Sequence, residues 1–136
     1  MKKPFEVELT VRDYECDLQG IVNNAVYQHY LEHARHTFLA SVGLNFHTLR
    51  REGLEPVVVH ADLAYKASLR PGDQFKVTVM LKRLGRVRFI FEQDIYRLSD
   101  QKKMLEAKIT GVFTKEGHPV APYPFEKIVA SKGWNF

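Results

Sequence analysis

The stretch YECDLQGIVNN, residues 14 to 24, sets a carboxylate, a glycine and two asparagines between a strand pattern and a helix pattern. Asp17 is the acidic residue of the loop just before the helix. A carboxylate there can take a proton as a general base or attack a carbonyl as a nucleophile. The helix start adds free backbone N–H groups and the positive end of the helix dipole. Aimed at a developing oxyanion, one such donor is worth about 100- to 1000-fold in rate. Gly20 lets the loop pass close to a bound molecule without a side chain in the way. The alternative is structural: Asp17 shapes a turn and Asn23 caps the helix.

Other groups compete for attention. HYLEH, residues 29 to 33, matches the H-x-x-E-H pattern of inverted zinc peptidases. His29 and His33 are four apart and His36 extends their face, but no downstream acidic helix offers a third ligand, so no metal is expected. Cys16 is read as a packed small residue rather than a nucleophile. His60 lies in a strand, either as a sheet histidine with its own hydrogen bond or as part of a ligand pocket. LKRLGRVRF places Lys82, Arg83, Arg86 and Arg88 around a turn, as a protected strand edge or as a site for phosphate.

These residues need elements to hold them. FEVELTV alternates through Phe5, Val7, Leu9 and Val11 as a half-buried strand. NNAVYQHYLEHARHTFLASVG repeats Tyr27, Tyr30, Leu31, Ala34, Phe38 and Ser41 at steps of three and four, a helix of about five turns. Asn23 is its N-cap, and Gly43 sits just past its end. Four strands follow: PVVVHADLAYKA, QFKVTVML, RVRFIFEQDIYRL and KMLEAKITGVFT. Pro71 and Gly72 fit a type II turn between the first two. APYPFEKIVASKGWNF is a proline-containing tail with one short helical turn. Short turns between strands argue for one antiparallel sheet with the long helix on its face. Two free sheet edges make pairing with a second copy an expectation.

Bulk properties narrow the function. The 136 residues suit a single domain, 1–136, and 45% apolar content supports a core. No apolar run reaches transmembrane length, and MKKPFEVELT lacks the features of a signal peptide. One cysteine excludes an internal disulfide and fits a reducing cytoplasm. A net charge of +4 is too small to argue for nucleic acid.

The element order, with YECDLQGIVNNAVYQHYLEHAR, resembles the hotdog-fold acyl thioesterases, nearest in pattern to the 4-hydroxybenzoyl-CoA thioesterase-like group. There an aspartate precedes two variable residues, a glycine, two apolar residues and the central helix; here these are Asp17, Leu18, Gln19, Gly20, Ile21, Val22 and then Asn23 and Asn24. The pattern continues through Tyr27, Tyr30, Glu32, Ala34 and Arg35 and into YKASLRPGD. The VNNA.Y variant is also similar to acyl-ACP and acyl-lipid thioesterases.

The resemblance implies an α+β hotdog fold: a long central helix wrapped by a curved five- to six-stranded antiparallel sheet. It implies a homodimer or homotetramer with its sites at the subunit interface. It implies hydrolysis of an acyl-CoA or acyl-ACP, with Asp17 as base or nucleophile and the backbone N–H of Asn24 as oxyanion donor beside Gly20. Asn23, Tyr27, His60, Arg86 and Arg88 are then candidates for substrate binding. No cofactor is required, since CoA or pantetheine belongs to the substrate. Asn23 and Asn24 differ from the aromatic-substrate members, which favours an aliphatic acyl chain. A non-hydrolytic acyl-CoA or acyl-carrier binding module on the same fold is the alternative. A dehydratase would want a histidine in the first helical turn, and none is there.

Overall fold

The computed structural model describes residues 3–132 and 134. The long helix, α1 (Asn24–Ser41), forms where the three-and-four spacing places it. Tyr27, Tyr30, Leu31, Ala34, Phe38 and Leu39 are its buried residues. Leu39 rather than Ser41 completes the stripe; Ser41 is exposed and its Oγ donates to the Phe38 carbonyl at 2.6 Å. Both ends carry caps. The Asn23 side chain accepts from Ala25 N at 2.9 Å. At the far end Leu44 N–H reaches the Leu39 carbonyl and Gly43 N–H the Ala40 carbonyl, with Gly43 at φ +78°. That paired closure needs a left-handed residue, which glycine adopts without strain.

Around α1 lies a curled antiparallel sheet, giving the α+β arrangement. Its strands are β1 (Phe5–Thr10), β2 (Leu54–Tyr65), β3 (Gln74–Leu84), β4 (Arg88–Arg97), β5 (Lys103–Lys115) and β6 (His118–Val120). The order is β1-β3-β4-β5-β2, with β6 pairing the end of β5. Consecutive β2 and β3 are therefore not neighbours, and residues 66–73 carry the chain across the sheet. The connection ends in the expected tight turn: Asp73 N–H donates to the Arg70 carbonyl at 3.0 Å, and Gly72 has φ +84°.

Alternation sorts the strands into two faces. Phe75, Val77, Val79 and Leu81 of β3 and Phe89, Phe91 and Ile95 of β4 are buried toward α1. The outer face carries ion pairs such as Lys76–Glu6 (3.0 Å) and Lys82–Glu92 (2.8 Å). Pairs this exposed contribute about 0–1 kcal/mol each, so the inner face carries the stability.

Two further helices form, one in a stretch with no sequence expectation and one longer than the single turn expected of the tail. α2 (Phe46–Arg51) is capped by Asn45, whose side chain accepts from Thr48 N at 2.9 Å, and it buries Leu49. α3 (Tyr123–Lys132) spans ten residues, because Phe125 and Val129 are one turn apart and close the core. The Phe125 ring lies 4.9 Å from Phe89 and 4.8 Å from Phe113, centroid to centroid.

Gly111 leaves no room for a side chain on the inner face. A Cβ there would lie 2.7 Å from the Phe89 ring and 3.0 Å from the Val57 carbonyl oxygen. Gly111→Ala is expected to lower the unfolding free energy by about 1–3 kcal/mol through overpacking, measured by urea denaturation.

Candidate functional site

Residues 15 to 23 form a small hairpin whose end is the start of α1. Asn23 N–H donates to the Glu15 carbonyl (3.0 Å) and Asp17 N–H to the Ile21 carbonyl (2.9 Å), with Cys16 bridging Val22. Gly20 N–H closes the tip on the Asp17 carbonyl at 3.0 Å, with Gly20 at φ +75°. Asp17 Oδ1 accepts from Gln19 N at 2.8 Å. The structural role anticipated for Asp17 is therefore real. It occupies one carboxylate oxygen; Asp17 is exposed, and its other oxygen has no hydrogen-bond partner among the described residues.

The first turn of α1 is partly capped. Ala25 N–H goes to the Asn23 side chain and Val26 N–H to the Asn23 carbonyl (2.9 Å). The N–H of Asn24 has no acceptor among the described residues, so an open donor and the positive helix end face outward together. Asn23 acts as a cap, its side chain engaged with the backbone. On the other side of Asn24, Tyr65 Oη reaches its carbonyl at 3.3 Å.

The remaining candidates lie elsewhere. Tyr27 is 2% exposed, and its Oη accepts from Leu69 N at 2.9 Å. Burial pushes its pKa up, so its hydroxyl is a neutral internal partner. His60 pairs with Thr110, whereas Ala61 pairs with the inward-facing Ile109. That register places His60 on the outer face, away from α1. The cause is a bulge at Val59, between Val58 and His60. Arg88 pairs with Val112 of β5, while Tyr65, beside Asn24, pairs with Leu105. Seven residues of strand separate them, about 24 Å. Within one chain, Arg86 and Arg88 are not brought to Asp17.

The histidine run does not assemble a metal site: no cluster of three His, Cys, Asp or Glu side chains is present among the described residues. His36 packs edge-on against Phe46 at 4.5 Å, and burial lowers its pKa. Cys16 is half-buried; desolvation, then Asp13 and Glu15, raises its thiol pKa, the wrong direction for a nucleophile.

An acyl groove beside the apolar side of the central helix, between subunits, is an expectation of the sequence; the sequence does not identify the residues that line a groove along α1 within one chain. A groove of about 400 Å³ starts at Ala25 and runs between α1 and the inner side of β2, past Leu31, Val58, Ala61 and Ile109. It shares Glu32, Arg35, Val58 and Ile109 with a smaller recess of about 140 Å³ walled by Leu39, Phe46, Phe89, Phe91 and Gly111. Arg35 Nη1 donates to Gln93 Oε1 (3.0 Å), and Gln93 Nε2 donates to the Leu31 carbonyl (3.0 Å). Burial lowers the Arg35 pKa. The available signal was Gln93 itself, a polar residue in the apolar row Phe89, Phe91, Ile95.

A family model described as "Thioesterase-like superfamily" matches residues 11–130. A chloroplastic acyl-acyl carrier protein thioesterase of Arabidopsis thaliana is 43% identical over 108 residues, 79% of this chain and 57% of the relative. The chain thus spans little more than half the length of that relative. Among solved structures, a hypothetical protein from Aquifex aeolicus superposes with TM-score 0.83 and 32% identity, covering 95% of this chain and 98% of that one. A 1,4-dihydroxy-2-naphthoyl-CoA thioesterase from Synechocystis superposes with TM-score 0.85 at 20% identity, over 93% and 95% of the two chains, a likeness of fold. The fold is the hotdog fold.

Removal of the cap has a measurable cost. Asn23→Ala is expected to lower stability by about 0.5–2 kcal/mol, seen as a lower thermal midpoint.

Proposed function

The chain belongs to the thioesterase-like superfamily, and from that premise we propose that it hydrolyses acyl thioesters, carried on CoA or on acyl carrier protein, to the free acid and the thiol. The observation that carries the reading is the pairing of a half-free carboxylate with an open helix N-terminus on one short hairpin. Asp17 takes a proton from water as the water oxygen attacks the carbonyl, or attacks it directly to give a mixed anhydride that water then opens. In either case the carbonyl oxygen gains charge and accepts from Asn24 N–H, helped by the helix dipole. Collapse restores the carbonyl, breaks the C–S bond and releases the thiolate. Gly20 keeps the approach clear, and Asn23 holds the helix end.

The acyl group lies in the groove that starts at Ala25. Leu31, Val58, Ala61 and Ile109 form its apolar side and support an aliphatic chain, while Gln28, His29, Glu32 and Arg35 form a polar one. Carrier-protein substrates are supported by the name of the Arabidopsis relative. No metal or dissociable cofactor takes part in this mechanism. The single Cys16 thiol suits a reducing, cytoplasmic compartment, and no helix among the described residues is long and apolar enough to cross a membrane.

A second copy completes the site in this reading. The outer edge of β2 pairs with no strand among the described residues, and Val57, Val58 and Val59 along it are 41%, 52% and 50% exposed. An open apolar edge invites another strand. Antiparallel pairing of two β2 edges would bring the Val57 end of one copy beside the Tyr65 end of the other. The basic turn bearing Arg86 and Arg88 in one chain would then approach the Asp17 site of its neighbour, where CoA phosphates would project. Tetramers would be built from such dimers.

Assay of short, medium, long and aromatic acyl-CoAs and an acyl-ACP should find hydrolysis by the wild type. Asp17→Asn should lower kcat by at least about 100-fold with an unchanged thermal midpoint. No turnover of any substrate would end the enzyme reading, and saturable binding without turnover would point to a binding module. Full activity in Asp17→Asn would end the site assignment. For the interface, Val59→Lys should convert a dimer to monomers in sedimentation velocity; an unchanged species would reject the β2 edge.

A further inference from the structure

We infer that Glu15 and Tyr30 are positioning residues that hold the Asp17 hairpin against the first turn of α1; the inference rests on the reading of Asp17 as the reactive carboxylate. The hairpin is stiff within itself, through the bonds at Asp17 and Gly20. Its second strand is anchored, since Val22 N–H donates to the Leu69 carbonyl, Leu69 N–H donates to Tyr27 Oη of the helix, and Asn23 leads into α1. The first strand, which carries Asp17, is tied to that anchor by the other strand alone, with Asn23 N–H on the Glu15 carbonyl nearest the helix. A hairpin held along its second strand only could pivot about it and carry Asp17 toward or away from the Asn24 N–H.

A side-chain bond from the helix removes that freedom. Tyr30, in the second turn of α1, donates from Oη to Glu15 Oε1 at 2.8 Å. The same oxygen accepts from Arg12 N at 2.8 Å. One carboxylate oxygen thereby joins the end of β1, the turn at Asp13–Glu15 and the helix. Packing alone does not explain the hydroxyl. Tyr30 is 5% exposed, with its ring 4.7 Å from Phe75 and 6.1 Å from Tyr27, centroid to centroid, and phenylalanine would fill the same space. Burial and the Glu15 bond push the Tyr30 pKa far up, so the proton stays on the hydroxyl and the donor is permanent. Bonds of this kind, to a charged acceptor, are among the stronger ones. Their value for the reaction lies in geometry, because a misplacement of about 1 Å can cost about 100-fold in rate.

The test compares Tyr30→Phe, Glu15→Gln, Glu15→Ala and the double variant Tyr30→Phe/Glu15→Ala with Asp17→Asn, on the thioester that the wild type hydrolyses fastest. Tyr30→Phe is expected to lower kcat about tenfold or more, with KM within about twofold. Glu15→Gln keeps a carbonyl oxygen for both donors and should retain most of kcat, whereas Glu15→Ala should lose it. The double variant should be no slower than Glu15→Ala, since both substitutions break one link. A lower thermal midpoint with unchanged kcat, an effect confined to KM, or additive losses in the double variant would overturn the inference. The two readings fail differently. An inactive Asp17→Asn beside a fully active Tyr30→Phe rejects the clamp alone. A fully active Asp17→Asn rejects both.

Discussion

Leu69 is wholly buried, and both its backbone N–H and its carbonyl are used by the elements that meet at the hairpin. Its carbonyl accepts from Val22 N–H, and its N–H donates to Tyr27 Oη, each at 2.9 Å. Leaving either group unpaired in that setting would cost about 1–3 kcal/mol. The requirement therefore binds three elements into one geometry: the hairpin through Val22, the helix through Tyr27, and the β2–β3 connection through Leu69 itself. The crossing of the sheet by residues 66–73 is what brings Leu69 there, so the strand order and the hairpin position are one constraint. Tyr27 contributes to the site through this bond, from inside the core rather than from the pocket wall.

The same economy of polar groups governs the groove. The inner face of β4 is apolar except for Gln93, which is almost wholly buried. Both ends of its amide are occupied, by Arg35 and by the Leu31 carbonyl. The bond to Arg35 draws that side chain across the face of α1 and makes it a wall shared by the two parts of the groove. A fully satisfied polar pair of this kind fixes one arrangement in an otherwise nonspecific apolar surface.

Local features were legible in the sequence because their causes are local. The cap at Asn23, the left-handed residue at Gly43, the Pro71–Gly72 turn and the inward rows of β1, β3, β4 and β5 each follow from residues within a few positions of one another. The features that were not legible depend on partners far along the chain. α3 is a full helix because Phe89 and Phe113 give Phe125 a place to dock. His60 shows the limit most sharply. Val58 faces inward, and strict alternation would turn His60 inward too, into the groove. One extra residue, Val59, reverses the parity and sends His60 to the outer face. No residue type in PVVVHADL marks that bulge. The separation of Arg88 from Asp17 likewise depends on which strands pair, which a motif cannot state.

The hairpin itself shows how a structural residue and a reactive one can share a side chain. Asp17 uses Oδ1 to hold its own turn, and that bond also fixes where the second oxygen points. A carboxylate free at both oxygens would rotate, and one engaged at both would be a weaker base and a poorer nucleophile. The turn and the chemistry we propose are thus complementary demands on one group. What a single chain does not supply is exclusion of water, since Asp17 and Asn24 are both exposed. Oriented N–H groups stabilise developing charge most strongly where solvent cannot compete. The exposed β2 edge begins beside the same helix end, at Tyr65. In the dimer we propose, the surface that buries the edge would also dry the site, so assembly and catalysis would answer to one contact.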